Sequence, residues 1–234
     1  MAEKCFISIT GTTCVGKSTL LKSVMLSTQD IFVIPQVTTR QARSDDIPEL
    51  IKYVDVINED DMFLCNRELS YGIRKDDINR FLLSKKQFAI AINGTDEIEM
   101  IKSKHYNDIM DYKNILLTFT HNEITEIEKL SQQLAICFSE ENYNKRMLFY
   151  SQHIKNKLLN PDFICNNIDV HLTREMSVSD WSLQMAQLLK INPFQLYKCM
   201  QNEIKEHPKL KQYIHPLVKE GISGIILSLQ HNKK

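Results

Sequence analysis

The chain has 234 residues, of which 43% are hydrophobic and 25% are charged, and this composition is typical of one folded domain with a sizeable core. Basic and acidic residues balance at 29 each, so the charge indicates neither a nucleic-acid partner nor an anionic membrane surface. The six cysteines have no C-x-x-C spacing, which argues against a zinc site and a disulfide framework. With no signal peptide and no apolar run of membrane-spanning length, we expect a cytoplasmic protein without a membrane partner.

The chain begins with a predicted strand, loop and helix. Residues 4–10 form an apolar, β-branched run that predicts a buried strand, and residues 18–26 carry apolar side chains at helical spacing. The connection between them matches the phosphate-binding pattern G-x-x-x-x-G-K-[S/T]. Its residues are Gly11, Thr12, Thr13, Cys14, Val15, Gly16, Lys17 and Ser18.

This loop predicts a nucleotide site. Glycines let successive backbone N–H groups point at phosphate oxygens, and the helix N-terminus adds partial positive charge. Lys17 is placed to neutralise the transferred phosphoryl group, and the Ser18 hydroxyl is a ligand that suits Mg²⁺. We therefore predict ATP and Mg²⁺ as cofactors, with Thr19 as a further nucleotide-binding residue.

Further strands and helices alternate along the chain. The pattern predicts strands at 31–38, 53–57, 68–73, 88–92, 115–120 and 163–165, and helices at 59–65, 76–85, 96–105, from 139 onward and at 179–191. This alternation predicts an α/β fold, a three-layer sandwich with a parallel central sheet. Ligands of such sheets bind at the carboxyl ends of the strands, where the glycine loop lies.

Residues 36–43, Gln-Val-Thr-Thr-Arg-Gln-Ala-Arg, resemble the T-T-R-x-x-R segment of the guanylate kinase superfamily. In that family the two arginines hold the acceptor's phosphate, so the resemblance implies this role for Arg40 and Arg43. Planar guanidinium groups suit bidentate phosphate binding. The resemblance continues through Tyr71-Gly72, and it implies substrate-binding roles for Tyr53, Tyr71 and Asn93.

The resemblance also implies residues that act on the transferred phosphate. Arg146 matches a lid-side arginine of the family, although a solvated surface arginine is the competing interpretation. Where the family carries paired arginines, at 126–133, this chain has Lys129, which lacks the guanidinium fork. The catalytic candidates are therefore Lys17, Lys129 and Arg146.

The same resemblance implies a domain plan. We assign residues 1–191 to a kinase domain, with an acceptor-binding insertion at about 37–86 and a lid at about 124–145. Residues 192–234 form a predicted helical C-terminal extension. Within it, residues 217–229 place apolar side chains on one helical face, which either packs on its own domain or forms a homodimer.

The prediction for the acceptor comes from positions at which this sequence differs from guanylate kinases. Guanylate kinases read guanine with two serines and acidic side chains, and this chain has Gln36, Ile73 and Asn93 at those positions. Guanine's N–H donors would then lack their carboxylate partner. A second resemblance, to ribose 1,5-bisphosphate phosphokinases, rests on Thr39-Arg40, Tyr71-Gly72-Ile73, Asn93-Gly94-Thr95 and Asn166-Asn167.

We therefore expect an ATP- and Mg²⁺-dependent phosphotransferase that acts on a small phosphorylated metabolite or nucleotide. Ribose 1,5-bisphosphate is the favoured acceptor, and guanylate or another nucleoside monophosphate is the alternative. A second alternative is a guanylate-kinase-like binding module without catalysis, which uses the acceptor cleft for a protein partner. The sparse lid favours that module, and the complete loop at residues 11–18 opposes it.

Overall fold

The computed structural model describes residues 4–11, 15–42, 46–66, 71–94, 97–102, 110–118, 144, 161–173 and 175–206. The strands in these ranges are β1 Lys4–Gly11, β2 Ile31–Val33, β3 Gln36–Thr38, β4 Ile51–Tyr53, β5 Met62–Asn66, β6 Tyr71–Arg74, β7 Phe88–Ile92, β8 Met110–Thr118 and β9 Val170–Thr173. The helices are α1 Lys17–Ser27, α2 Lys75–Leu83, α3 Ile98–Lys102, α4 Pro161–Asn167, α5 Val178–Leu189 and α6 Pro193–Glu206. None of these helices is long and apolar enough to cross a bilayer.

The central sheet has five parallel strands in the order β2-β7-β1-β8-β9. Its middle strands are apolar on both faces because side chains alternate between two cores. Ile7 and Ile9 of β1 pack with α1, α5 and α6, whereas Phe6 packs with α2 and the second sheet. The predicted α/β fold with a parallel central sheet covered on both faces is confirmed.

A second, four-stranded sheet has the order β4-β3-β6-β5 and lies within the predicted insertion. Strand β3 is parallel to β4 and antiparallel to β6, and β5 is antiparallel to β6. Its buried residues Phe63, Leu64 and Ile73 share a core with Phe81 of α2. This sheet therefore forms a packed unit beside the central sheet.

Several predicted boundaries were wrong, and proline explains the first. The expected strand at 31–38 divides into β2 and β3, which belong to different sheets, and Pro35 lies between them. Proline has no backbone N–H to donate to a neighbouring strand, so it interrupts the ladder.

Tertiary packing explains the next corrections. The helix expected at 59–65 is a single 3-10 turn, Glu59–Asp61, followed by β5, because Met62, Phe63 and Leu64 fill a core as strand residues. The strand expected at 53–57 is instead β4, which ends at Tyr53. Strand β8 begins at Met110, five residues before its predicted start at 115.

The last strand was predicted in the wrong place. Residues 163–165 lie in α4, which begins with Pro161, a residue favoured in the first helical turn. The strand that closes the sheet is β9, with Leu172 fully buried beside β8. Asn166 and Asn167 consequently are the last two residues of a helix.

Helix α6 lies in the predicted helical C-terminal extension, for which the sequence pattern gave no helix bounds before residue 217. Pro193 is the first residue of α6, and the Asn192 side-chain oxygen accepts hydrogen bonds from the backbone N–H groups of Phe194 and Gln195. Leu196 and Tyr197 are buried in the same core as α1 and α5. The first part of the region assigned to a C-terminal extension is therefore packed against the kinase-like core, and residues 207–234 lie outside the described ranges.

Candidate active site

The phosphate loop leaves β1 through a glycine in a conformation that other residues rarely adopt. Gly11 has φ +132°, and a Cβ built on it would lie 2.1 Å from the backbone oxygen of Leu117 in β8. Gly16 has φ +110° and is the residue immediately before α1. Both pattern glycines are therefore required by the backbone, the first also by the close approach of β8. Thr12, Thr13 and Cys14 lie outside the described residues.

The N-terminus of α1 has the properties of an anion site. Gly16 provides no side chain to cap the helix, and the first turn carries no acidic residue. The N–H groups of a helix's first turn have no partner inside the helix, so an anion can accept from them. The Lys17 ammonium donates to the Gly11 carbonyl oxygen at 2.8 Å, so this side chain reaches back to the end of β1. Ser18 and Thr19 follow in the same turn.

In the second sheet, residues paired across three neighbouring strands bring the candidate acceptor-binding residues together. Thr38 of β3 is paired with Tyr53 of β4 on one side and with Tyr71 of β6 on the other. Residues paired across neighbouring strands project to the same face of a sheet. The Thr38 hydroxyl also accepts a hydrogen bond from the backbone N–H of Arg40 at 3.2 Å. The chain therefore turns out of β3 with Arg40 beside both tyrosines.

Arg40 is held by a dense set of contacts. Its Nε donates to the Tyr71 hydroxyl at 2.5 Å, and Nη1 donates to the Gln41 carbonyl oxygen at 2.8 Å. Nη1 and Nη2 also donate to the two carboxylate oxygens of Asp46, the first at 2.8 Å. The Tyr53 hydroxyl donates to the same carboxylate. The guanidinium lies 5.8 Å from the centre of the Tyr53 ring and 5.9 Å from that of Tyr71.

The electrostatics of this cluster follow from these contacts. The hydrogen bonds to Asp46 raise the pKa of the Arg40 guanidinium above its ordinary value, against an opposing effect of burial. Burial and the hydrogen bond to Asp46 raise the pKa of the Tyr53 hydroxyl. Arg40 is therefore a permanent cation, and Tyr53 is a neutral hydrogen-bond donor at physiological pH.

A small open cleft of about 40 Å³ lies between the start of α1 and the residue that pairs with Arg40. Ser18 of α1 lines it together with Asp46, the partner of Arg40. Gln36 is the other polar lining residue, and its side-chain amide donates to the Ile92 carbonyl oxygen at 2.7 Å. The remaining wall is aliphatic and consists of Ile47, Leu50, Ile51 and Ile92.

The structure brings some predicted residues together and separates others. Arg40, Tyr53 and Tyr71 form one cluster. Asn93 does not line the cleft: it is 3% exposed, and its side chain donates to the Ser8 hydroxyl at 2.6 Å. Arg43, Lys129 and Arg146, with the predicted lid at 124–145 apart from the single described residue 144, lie outside the described residues.

Sequence reasoning missed Asp46. Asp46 lies in a polar stretch of the sequence, residues 39–52, where an acidic residue gives no periodic signal. The one available signal was an acidic pair, Asp45-Asp46, placed shortly after two arginines, where charge complementarity favours pairing. The aliphatic wall was missed as well, because its members come from two segments that are far apart in the chain, 47–51 and residue 92.

The parallel sheet, the glycine loop and the helix after it give this chain the fold of a P-loop kinase. Two solved structures are similar to it. A guanylate kinase from Anaplasma phagocytophilum has 13% identity and a TM-score of 0.46, over 88% of this chain and 96% of that chain. A fungal RNA kinase has 10% identity and a TM-score of 0.51, over 88% of this chain and 100% of that chain.

No protein-family model and no curated protein matches the sequence. At these identities a likeness concerns the fold alone. The chemistry must therefore be argued from the residues of the cleft.

Proposed function

We propose that this protein is an ATP- and Mg²⁺-dependent phosphotransferase whose acceptor already carries a phosphate group. The observation that carries the proposal is the shared cleft: Ser18, at the start of the P-loop helix, and Asp46, the partner of Arg40, line the same space. A donor's phosphates at the helix N-terminus and an acceptor's phosphate at Arg40 would then face each other across that space. Phosphoryl transfer depends mainly on such positioning and on charge stabilisation.

The donor half of the cleft fits a nucleotide triphosphate. The positive φ of Gly11 and Gly16 and the uncapped α1 N-terminus form a cradle for phosphate oxygens. Lys17 reaches back to the end of β1, and it would neutralise phosphate charge once its contact with the Gly11 carbonyl is exchanged. ATP would supply the transferred γ-phosphoryl group, and Mg²⁺ would neutralise charge between the β- and γ-phosphates.

Ser18 is the residue that we propose as the protein's Mg²⁺ ligand. Within the described ranges, no three His, Cys, Asp or Glu side chains are grouped closely enough to hold a metal ion. Mg²⁺ in phosphoryl-transfer sites commonly takes one or two protein ligands and completes its shell with substrate phosphates and water. A lone hydroxyl at the start of α1 agrees with that pattern.

The acceptor half favours a nucleoside monophosphate over ribose 1,5-bisphosphate. The four aliphatic side chains at 47, 50, 51 and 92 offer an apolar wall, which suits a nucleobase better than a sugar with two phosphates. Gln36, in place of the serine expected for guanine, supports a base other than guanine.

An acceptor panel tests the proposal. ADP release from Mg²⁺-ATP is measured with GMP, dGMP, AMP, CMP, UMP and ribose 1,5-bisphosphate, each against a sample without acceptor. We expect one phosphate-bearing acceptor to accelerate ADP release, and Arg40→Ala to raise the KM for it. If ribose 1,5-bisphosphate alone is active, the acceptor class proposed from the aliphatic wall is wrong. If no member accelerates ADP release, a binding module without catalysis is the better account.

A further inference from the structure

The guanidinium N–H groups of Arg40 that an incoming phosphate needs are already hydrogen-bonded within the protein. A guanidinium carries five N–H groups. The hydrogen bonds to Tyr71, to the Gln41 carbonyl and to the two oxygens of Asp46 use four of them. Nη1 and Nη2, the pair that would grip two phosphate oxygens, both donate to Asp46. An acceptor phosphate therefore cannot make a bidentate contact there while this carboxylate stays in place.

The Asp46 carboxylate collects donors as a bound anion would. Nη1 and Nη2 of Arg40 and the hydroxyl of Tyr53 all donate to its two oxygens. The side chains of Arg40 and Asp46 are 16% and 13% exposed, so the pair is largely shielded from water. These three donors match the oxygens that a phosphate presents.

Arg40 has other contacts that fix its direction. The Tyr71 hydroxyl holds Nε, and the Gln41 carbonyl holds the second N–H of Nη1. The backbone N–H of Arg40 donates to the Thr38 hydroxyl, which anchors the turn itself. Since these contacts do not involve Asp46, the carboxylate is not needed to aim the guanidinium.

We propose that Asp46 is a built-in occupant of the acceptor-phosphate seat formed by Arg40 and Tyr53, and that an acceptor binds by displacing it. This inference rests on the proposed function, since it takes Arg40 as the group that receives the acceptor's phosphate. When the Asp46 carboxylate moves away, Nη1 and Nη2 of Arg40 and the hydroxyl of Tyr53 can all donate to the acceptor's phosphate. One displacement therefore opens the complete phosphate site. Weakly binding anions are excluded from this site, because every ligand must first break the contacts of Asp46 with Arg40 and Tyr53.

A displacement mechanism has a quantitative signature. The apparent affinity of any ligand is its intrinsic affinity reduced by the fraction of molecules in which the seat is open. That fraction is a property of the protein, so removing Asp46 should tighten different anions by the same factor. Simple repulsion from a nearby carboxylate would instead favour the more highly charged anion.

The test measures the dissociation constants of inorganic phosphate, methyl phosphate and dimethyl phosphate by isothermal titration calorimetry at constant ionic strength. The variant is Asp46→Asn, which keeps the size of the side chain and removes its charge. The control is Asp55→Asn, which removes the same charge from an exposed residue close to Tyr53. The double variant Arg40→Ala, Asp46→Asn shows which part of the measured binding heat comes from anions bound at Arg40.

We expect Asp46→Asn to lower all three dissociation constants by a common factor of about ten or more, because charge-assisted hydrogen bonds no longer compete. Asp55→Asn should behave as the wild type, and Arg40→Ala should remove the gain. Unchanged or weaker anion binding in Asp46→Asn would overturn the proposal and make Asp46 a residue that orients Arg40. A gain that increases with the charge of the probe, or that survives Arg40→Ala, would also overturn it.

Reduced stability of the variant does not obscure the result. A ligand that binds only the folded state adds RT ln(1 + [L]/Kd) to the unfolding free energy, so at one ligand concentration tighter binding gives a larger increase in melting temperature. We expect phosphate to raise the melting temperature of Asp46→Asn more than that of the wild type, whatever the two starting values are. An equal or smaller rise contradicts the proposal.

The same preparations separate this inference from the proposed function. If anions bind more tightly to Asp46→Asn but no acceptor accelerates ADP release, the proposed function alone is wrong. If an acceptor accelerates ADP release but anion binding is unchanged in Asp46→Asn, this inference alone is wrong.

Discussion

At the scale of single residues, the phosphate loop depends on the space around Gly11. Its φ is +132°, and the carbonyl of Leu117 occupies the position where a side chain would begin. Gly16 provides a matched comparison, because its φ is also positive but no atom lies within 4 Å of a Cβ built there. The two glycines therefore separate backbone strain from steric overlap.

We expect Gly11→Ala to cost roughly 2–6 kcal/mol of unfolding free energy, from backbone strain and overpacking together. Gly16→Ala should cost about 1–2 kcal/mol, since only the left-handed backbone is strained. Urea unfolding followed by Trp181 fluorescence measures both values. Equal costs would contradict the close approach of β8 to Gly11.

Lys17 is the residue that most directly links the loop to catalysis. We expect Lys17→Ala to slow acceptor-dependent ADP release by at least about a hundredfold, the loss usual for one group that stabilises transition-state charge. Lys85→Ala, at an exposed lysine after α2, is the control and should leave the rate unchanged. Undiminished binding of an ATP analogue to Lys17→Ala would argue against a kinase.

Sequence reasoning found the local part of the site and missed the part made by tertiary contacts. Residues 11–18 form a contiguous pattern with a strand before it and a helix after it, so the sequence alone identifies them. Arg40 was found through a short motif. Its partner Asp46 was not, because the contact depends on how residues 40–46 turn at the end of β3. Asn93 was assigned to the substrate from a motif, and its buried hydrogen bond to Ser8 was not predicted.

At the scale of elements, α6 is tied to the P-loop helix by an ion pair. Lys22 of α1 and Glu203 of α6 lie 2.8 Å apart, with side chains 27% and 4% exposed. Lys22 can therefore turn toward water if its partner is lost, whereas Glu203 cannot. A buried carboxylate without its cation is the more costly state.

We accordingly expect Lys22→Met to lower the unfolding free energy by about 3 kcal/mol and Glu203→Gln to lower it by about 1 kcal/mol. The double variant should be more stable than Lys22→Met alone, because no carboxylate then remains buried. Denaturant unfolding of the three variants provides the values. A larger loss for Glu203→Gln than for Lys22→Met would contradict the asymmetry.

Elements with strong local signals were predicted well. Strands β1 and β7 and helices α1, α2 and α5 have clear apolar patterns, and the structure has them within two residues of the predicted bounds. The errors at β5 and α4 concern short segments in which packing or a proline decides between helix and strand. Helix α6 begins at a proline that follows an asparagine, since proline is favoured at the first helical position.

At the scale of the whole molecule, the fold continues past residue 191. Four side chains of α6, at positions 196, 197, 200 and 204, are at most 4% exposed and belong to the core that contains α1. Burying four such side chains contributes roughly 6–12 kcal/mol as an upper estimate. That amount is comparable to the total stability of a domain, about 5–15 kcal/mol.

We therefore expect a chain that ends after residue 191 to lose cooperative thermal unfolding, and a chain that ends after residue 206 to keep it. Near-ultraviolet circular dichroism, which reports packing around Trp181 and the tyrosines, distinguishes the two outcomes. If the chain ending after residue 191 melts cooperatively at the temperature of the longer chain, α6 is dispensable to the fold.

The central claim is that one cleft joins a phosphate donor at Lys17 and Ser18 to a phosphate acceptor at Arg40. The most direct test follows γ-³²P-labelled ATP with the best acceptor of the panel and separates the products. We predict that the label appears in the acceptor and that Lys17→Ala abolishes this transfer. The Arg40→Ala variant should transfer the label only at high acceptor concentration. Label recovered only as inorganic phosphate, or transfer that Arg40→Ala leaves unchanged, would contradict the account.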